Sequence, residues 1–172
     1  MHSLTHSFTH SLIHSLIHSL THSFTHSLTH SPGYVNPSSI ISNHRVIHTI
    51  DFSKVSCKEL QNFEINFNFN IEKTCLMHGL AGWFDINFIG STENVVLSTA
   101  PECPGTHWYQ CRLLLHEPLA VNRGQAISGN MVFEANDKFS YNIYLTVTID
   151  GTAISSSNRI NLHDQMYSYL NS

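Results

Sequence analysis

Charge is scarce in this sequence. Asp, Glu, Lys and Arg make up 12% of the 172 residues, and the formal net charge is -4. The eight Lys and Arg are scattered, so no basic patch of the kind that displaces counterions from nucleic acid can be drawn. No run of about 18 apolar residues occurs, which excludes a helical membrane span. The first residues carry no Lys or Arg and no continuous apolar stretch, and do not read as a signal peptide. Cysteine is limited to Cys57, Cys75, Cys103 and Cys111. None forms a CxxC pair, so a zinc site lacks its ligand spacing. Cys103 and Cys111 flank one loop and could pair, but the expected state is four free thiols in a reducing compartment. No Gly-x-Gly turn opens a helix after a strand, so nothing marks a Rossmann-type cofactor cradle.

What the chain does contain begins with repetition. Residues 2–31 are a tetrapeptide repeat of the type His-Ser-Leu-Thr, with His at 2, 6, 10, 14, 18, 22, 26 and 30. On a helix a step of four residues turns through about 400°, so each repeat drifts about 40° from the last and no fixed apolar face forms. As a strand, His and Leu share one face with Ser and Thr opposite, which gives no clean amphipathic split. The expectation is a disordered low-complexity tail over 1–31. The alternative is a metal-binding His tract, because imidazoles at i,i+4 can chelate on a helix. Pro32, Gly33 and Pro37 mark a linker over 32–39.

From Ile40 to the C-terminus the texture is β, and a barrel domain is expected over 40–172. Phe63, Ile65, Phe67, Phe69 and Ile71 alternate with Glu64, Asn66, Asn68 and Asn70, a period of two that buries one face. Phe139, Tyr141, Ile143, Leu145, Val147 and Ile149 alternate in the same way, and Asp150-Gly151 after them is a hairpin signal. Leu76 to Ile89 reads as one strand buried on both faces, with Gly79 and Gly82 at a bulge or a close backbone approach. His78 is expected to be buried within it. Further strands are expected near 45–52, 94–99, 108–116 and 126–135, turns at 122–125 and 136–138, and a short helix around 162–170. Ser155 to Asn158 reads as a turn. Many short strands with regular turns, and no βαβ alternation, predict a mainly β, antiparallel barrel.

The most informative stretch is Leu97-Ser98-Thr99-Ala100-Pro101-Glu102-Cys103-Pro104-Gly105-Thr106-His107-Trp108-Tyr109-Gln110. A strand runs into a Pro/Gly-rich loop that presents an imidazole beside an indole, and loops on rigid scaffolds are where binding groups collect. The string resembles the Thr-His-Trp loop of the protein arginine N-methyltransferases. With His78-Gly79-Leu80-Ala81 and the run from Trp83 to Ser91, it is most similar to the coactivator-associated, type I, histone-arginine branch. The resemblance runs more loosely from about Ile40 to about Leu162 and covers the C-terminal half of that family's catalytic core.

The resemblance implies the family's C-terminal antiparallel β-barrel. It further implies the substrate-side wall of an enzyme that transfers a methyl group from S-adenosylmethionine to a guanidinium nitrogen. Its substrate would be a histone or another Arg-rich protein, its place the nucleus or cytoplasm, and its complete form a homodimer. By the same resemblance, His107 and Trp108 help close the arginine pocket, with Thr106 and Tyr109 as their setting. An imidazole can hold a carboxylate, and an indole face can pack on guanidinium. Two family features are missing: the cofactor cradle and the hairpin glutamate pair that grips guanidinium through bidentate contacts. Glu59, Glu64 and Glu72 read as solvent-side residues of β segments. The sequence therefore offers no cofactor-binding residue and no metal ligand, and the chain alone is expected to be inactive. The competing class is a non-enzymatic β module that binds protein. Asp85 reads equally as a buried hydrogen-bonded carboxylate or a solvated one, and His44 and His48 as edge-strand polar residues on one face.

Overall fold

The computed structural model describes residues 35–163, apart from positions 43, 90 and 109. The His repeat, most of the 162–170 segment expected to be helical, and Tyr109 lie outside the described residues. Among the described residues eight strands follow one another: β1 Asn62–Asn70, β2 Cys75–Gly82, β3 Asp85–Ile89, β4 Asn94–Ser98, β5 Cys111–Val121, β6 Ala126–Ala135, β7 Tyr141–Ile149 and β8 Ser155–Asn161. Before them come a 3-10 turn at Pro37–Ser39 and one short helix, α1, Cys57–Gln61. All pairing is antiparallel. One sheet has the order β1-β6-β7-β8, while β2 pairs with β5 and β3 with β4.

Period two is what builds the main sheet. Tyr141, Ile143, Leu145, Val147 and Ile149 are all buried on β7, while the residues between them are half-buried or exposed. These side chains join Phe67, Ile127 and Phe133 of the same sheet, and Ile71 just after β1, to Met77, Leu113, Leu115, Leu119 and Val121 of the β2–β5 pair in one core. Two sheets thus curl around a shared apolar centre, the barrel that the alternation predicts. Where β5 meets β8 there is no backbone ladder. Side chains bridge instead: Asn158 Nδ2 donates to the Leu114 carbonyl at 2.9 Å, and the Ser156 hydroxyl donates to the Glu117 carbonyl at 2.7 Å.

The expected strand over 76–89 is two strands. It breaks at Trp83 and Phe84, and Leu76 stays 57% exposed. It is therefore not buried on both faces: Met77 points into the core while its neighbours Leu76 and His78 are exposed. The bulge is present. Met77 faces Leu119 but Gly79 faces Leu114, so His78 alone opposes the longer stretch around Pro118, and its side chain is exposed rather than buried. Pro118 has no N–H to give to a ladder, which suits that irregular stretch. Gly79 is a close approach, since a Cβ there would sit 2.1 Å from the Leu113 carbonyl oxygen.

Three further expectations change. Residues 45–52 form no strand. Asp51 instead accepts from the Ser53 amide and hydroxyl and closes a turn with Lys54, a local bonding pattern that competes with a ladder. Phe139 leaves the alternation with φ 56° and 92% exposure, because Asn136 Oδ1 accepts from the Lys138 and Ser140 amides and folds the segment into a turn. Ser155 to Asn158 lie in β8 rather than in a turn, with Ser156 buried.

Helix α1 was hidden in plain residues. Ser56 caps it, accepting from the Glu59 amide, while Glu59 reaches back to the Ser56 amide. Glu59 is thus a capping residue, not a solvent-side strand residue. The Tyr141 hydroxyl donates to the Leu60 carbonyl at 2.8 Å and ties the helix to β7.

The Asp51 turn has a pH signature. Hydrogen bonds from Lys54 and Ser53 pull its carboxyl down from its ordinary value to about 2. A depressed folded value means that the stabilisation is complete above the unfolded value, near 3.9, and is lost as pH falls through about 2. The carboxyl carbon shift of Asp51 is therefore expected to titrate near pH 2. A midpoint near 3.9 would show that the turn does not hold it.

Candidate functional site: the 99–110 loop

The loop leaves β4 at Ser98 and enters β5 at Cys111, and its two ends are fixed to one another. Buried Thr99 makes a reciprocal pair with Phe84, its amide and hydroxyl donating to the Phe84 carbonyl at 3.1 and 2.9 Å. The Phe84 amide in turn donates to Thr99 Oγ1 at 3.2 Å. Buried Gln110 spans the mouth: its Nε2 donates to the Thr99 carbonyl at 2.7 Å, and its Oε1 accepts from the Val35 amide at 2.8 Å. Every polar atom of that amide side chain is used across the loop base, which is how a buried polar group is kept from costing stability.

On this base the predicted residues come together. The Thr106 hydroxyl accepts from the Trp108 amide at 3.2 Å and donates to the Trp108 carbonyl at 3.1 Å, so Thr106 shapes the turn that presents the rings. The His107 and Trp108 rings stack with centroids 4.4 Å apart at 26°. Phe84 meets Trp108 edge-on at 5.9 Å and 76°, a favoured aromatic geometry. His107 is exposed while Thr106 and Trp108 are half-buried. Tyr109 is the one predicted site residue outside the described set. The arrangement offers an exposed imidazole backed by an indole, a surface suited to a planar cation or to a carboxylate bound through the imidazole.

The remaining candidates are placed elsewhere. Asp85 is exposed and accepts from the Ser98 hydroxyl at 2.5 Å, so it helps to lock β3 to β4. His44 and His48 lie on one side of their segment, but as ring partners of β1 rather than edge-strand groups: His44 contacts Phe69 at 5.5 Å and His48 stacks on Phe63 at 5.4 Å. All four thiols are free, and burial pushes the Cys111 thiol far up. Among the described residues no three His, Cys, Asp or Glu gather as a metal site. No helix there is long and apolar enough to cross a membrane.

Sequence reasoning missed Phe84, Thr99 and Gln110 as supports, and also Arg45. Arg45 forms an ion pair with Glu102 of the loop, and its guanidinium lies 5.1 Å from the centre of the Trp83 ring. The available signal for the first of these was Gly82 followed by two bulky aromatics, Trp83 and Phe84, inside the apolar run. Nothing local announces Arg45.

An antiparallel barrel with an anchored Thr-His-Trp loop defines the class: a β subdomain of the arginine methyltransferase type. The profile of the family described as "Arginine methyltransferase oligomerization subdomain" matches residues 5–150, reaching into the N-terminal repeat. The chain belongs to that family. Histone-arginine methyltransferase CARMER of Drosophila grimshawi is 44% identical over 124 residues, and that of Drosophila willistoni 43%. Each alignment covers 72% of this chain but 23% of the relative, so the chain spans about a quarter of their length. Among solved structures, the Trypanosoma brucei PRMT1 enzyme-prozyme heterotetrameric complex with AdoHcy superposes with a TM-score of 0.64 at 21% identity, over 75% of this chain and 44% of that one. That likeness concerns the fold.

Proposed function

We propose that this chain supplies the substrate-side wall of a protein arginine methyltransferase, with His107 and Trp108 facing the target guanidinium and Thr106 setting their turn. Tyr109, next in sequence, is proposed as a further substrate-binding residue. The observation that carries the proposal is the exposed imidazole stacked on an indole at the tip of a loop whose base is pinned by Thr99 and Gln110. Its substrates would be histones or other Arg-rich proteins, its site of action nuclear or cytoplasmic, and its working form an oligomer.

The methyl donor, S-adenosylmethionine, does not fit the described residues. Their only α-helix is five residues long, and two amides at its start, those of Ser56 and Glu59, are taken by its own capping box. Gly79 and Gly82 lie inside β2, Gly124 lies in the turn between β5 and β6, and Gly151 lies in the β7–β8 hairpin turn. No turn between strand and helix is left to cradle a nucleotide. The donor's site belongs, in this reading, to the part of the relatives that the chain does not span. The chain's own share is to bind and orient.

Two measurements test this. An Arg/Gly-rich peptide titrated into the chain is expected to shift the Trp108 indole resonance. Trp108→Ala is expected to weaken binding by about threefold to thirtyfold, the span of a cation–π contact. Unchanged affinity removes Trp108 from the wall. Incubated alone with radiolabelled S-adenosylmethionine and the same peptide, the chain is expected to transfer no methyl group, and transfer above a denatured control overturns that expectation.

A second reading is a non-enzymatic module that binds protein. It is favoured by the β3–β4 ribbon, which among the described residues has no ladder to a third strand and leaves Phe88, Val95 and Val96 more than half exposed. Exposed apolar strand edges of this kind associate. Peptide binding insensitive to Trp108→Ala but lost on Phe88→Ser would favour it.

A further inference from the structure

The segment 44–50 crosses the barrel without a ladder, yet it is held by side chains at three points. His44 and His48 lie against Phe69 and Phe63 of β1. Between them in sequence, Arg45 reaches the other way. Its guanidinium pairs with the Glu102 carboxylate and covers the Trp83 indole at 5.1 Å. The two Arg45 partners are the two sides of the candidate site. Glu102 lies in the loop that carries His107 and Trp108. Trp83 precedes Phe84, whose ring abuts Trp108 and whose backbone is bonded to Thr99.

We propose that Arg45 is a positioning residue, clamping the 99–110 loop to the Trp83-Phe84 corner and so setting the stance of the His107–Trp108 ring pair. The proposal rests on the loop being the functional wall, but the clamp itself is a statement about loop order. Guanidinium suits the role because one planar group can stack on an aromatic face and offer its edge to a carboxylate at once. The side chains of Arg45 and Glu102 are 49% and 45% exposed. Water therefore screens the pair, and neither contact alone holds the loop firmly. Both partners together, on one guanidinium, are what the geometry supplies. Lysine at position 45 keeps the charge but loses the stacked plane.

The test is hydrogen exchange of the intact chain, with Arg45→Ala, Arg45→Lys, Glu102→Gln and the double variant Arg45→Ala/Glu102→Gln. Amides of 99–108 are expected to exchange about tenfold faster in Arg45→Ala, the combined scale of an exposed ion pair and a cation–π contact. Glu102→Gln gives part of that increase, Arg45→Lys gives less than Arg45→Ala, and the double variant exchanges no faster than Arg45→Ala alone, as coupled partners require. Protection of β6 and β7 stays unchanged. The Trp108 indole resonance moves in Arg45→Ala, which a purely global loss of stability leaves in place. Unchanged loop exchange in Arg45→Ala, or additive effects in the double variant, overturns the clamp. If Arg45→Ala does not fold, the Arg45→Lys and Glu102→Gln pair decides by the same criteria. Peptide titration separates the two readings. A wild-type chain that ignores the Arg/Gly-rich peptide removes the substrate wall and leaves the clamp standing. A chain that binds the peptide equally well in all four variants, with unchanged exchange, removes the clamp alone.

Discussion

Gly129→Ala is expected to destabilise the barrel by about 3 kcal/mol or more, the upper range for forcing atoms into a packed interior. Gly129 sits in the middle of β6, opposite Phe67 of β1 and Val147 of β7. A Cβ there would fall 2.0 Å from the Thr146 carbonyl oxygen and 2.7 Å from Cζ of Phe67. The first atom is backbone in a paired strand and cannot step aside without opening the ladder. The second is a buried ring. Gly151 supplies the control. Its φ of 74° disfavours a side chain, but nothing lies within 4 Å of its Cβ position, so Gly151→Ala is expected to cost about 1 kcal/mol. Urea unfolding of both variants at constant m-value checks the pair. Equal losses would mean that backbone conformation, not collision, governs position 129.

Ile143→Ala is expected to cost about 2–5 kcal/mol and Ile143→Val about 0.5–1.5 kcal/mol, the ordinary ranges for emptying a core site and for trimming it. Ile143 is fully buried on β7, between Phe133 of β6 and Ile160 of β8. It has ladders on both sides, so the surroundings cannot collapse into the hole. For a domain whose total stability is about 5–15 kcal/mol, the alanine variant removes a large share. Thermal unfolding by circular dichroism reads both. A loss below about 1 kcal/mol for the alanine variant would place Ile143 outside the core.

Strands β1 and β7 were legible because each has one face toward the core and one toward water. Under that condition alternation in sequence becomes alternation in burial. Legibility failed where local hydrogen bonding competes with pairing. Asn136 ends the β7 pattern before Phe139, and Asp51 prevents a strand over 45–52. It failed again where polar side chains do the work of a ladder. Ser156 and Asn158 look like turn formers by composition, yet they bond the backbone of β5. The capping box at Ser56 and Glu59 is present in the sequence, but the five-residue helix it starts is too short to show a helical period. At the candidate site, Thr106, His107 and Trp108 can be proposed from sequence because they are contiguous. Gln110, Phe84 and Arg45 work through partners distant in sequence, and no spacing rule connects them.

The β5–β8 seam has a consequence for how the barrel comes apart. A backbone ladder is resisted at every residue along its length, whereas the seam depends on the hydroxyl of Ser156 and the amide of Asn158. Along that line the two sheets are joined by side chains and by the shared apolar core rather than by a ladder, so it is the expected first line of opening, with each sheet keeping its own pairing. Such a line divides the domain into two cooperative units of unequal size. The smaller of them, β2 with β5, carries the exit of the 99–110 loop at Cys111. Excursions of the loop and of that small unit are therefore expected to be coupled, with the four-stranded sheet expected to melt last.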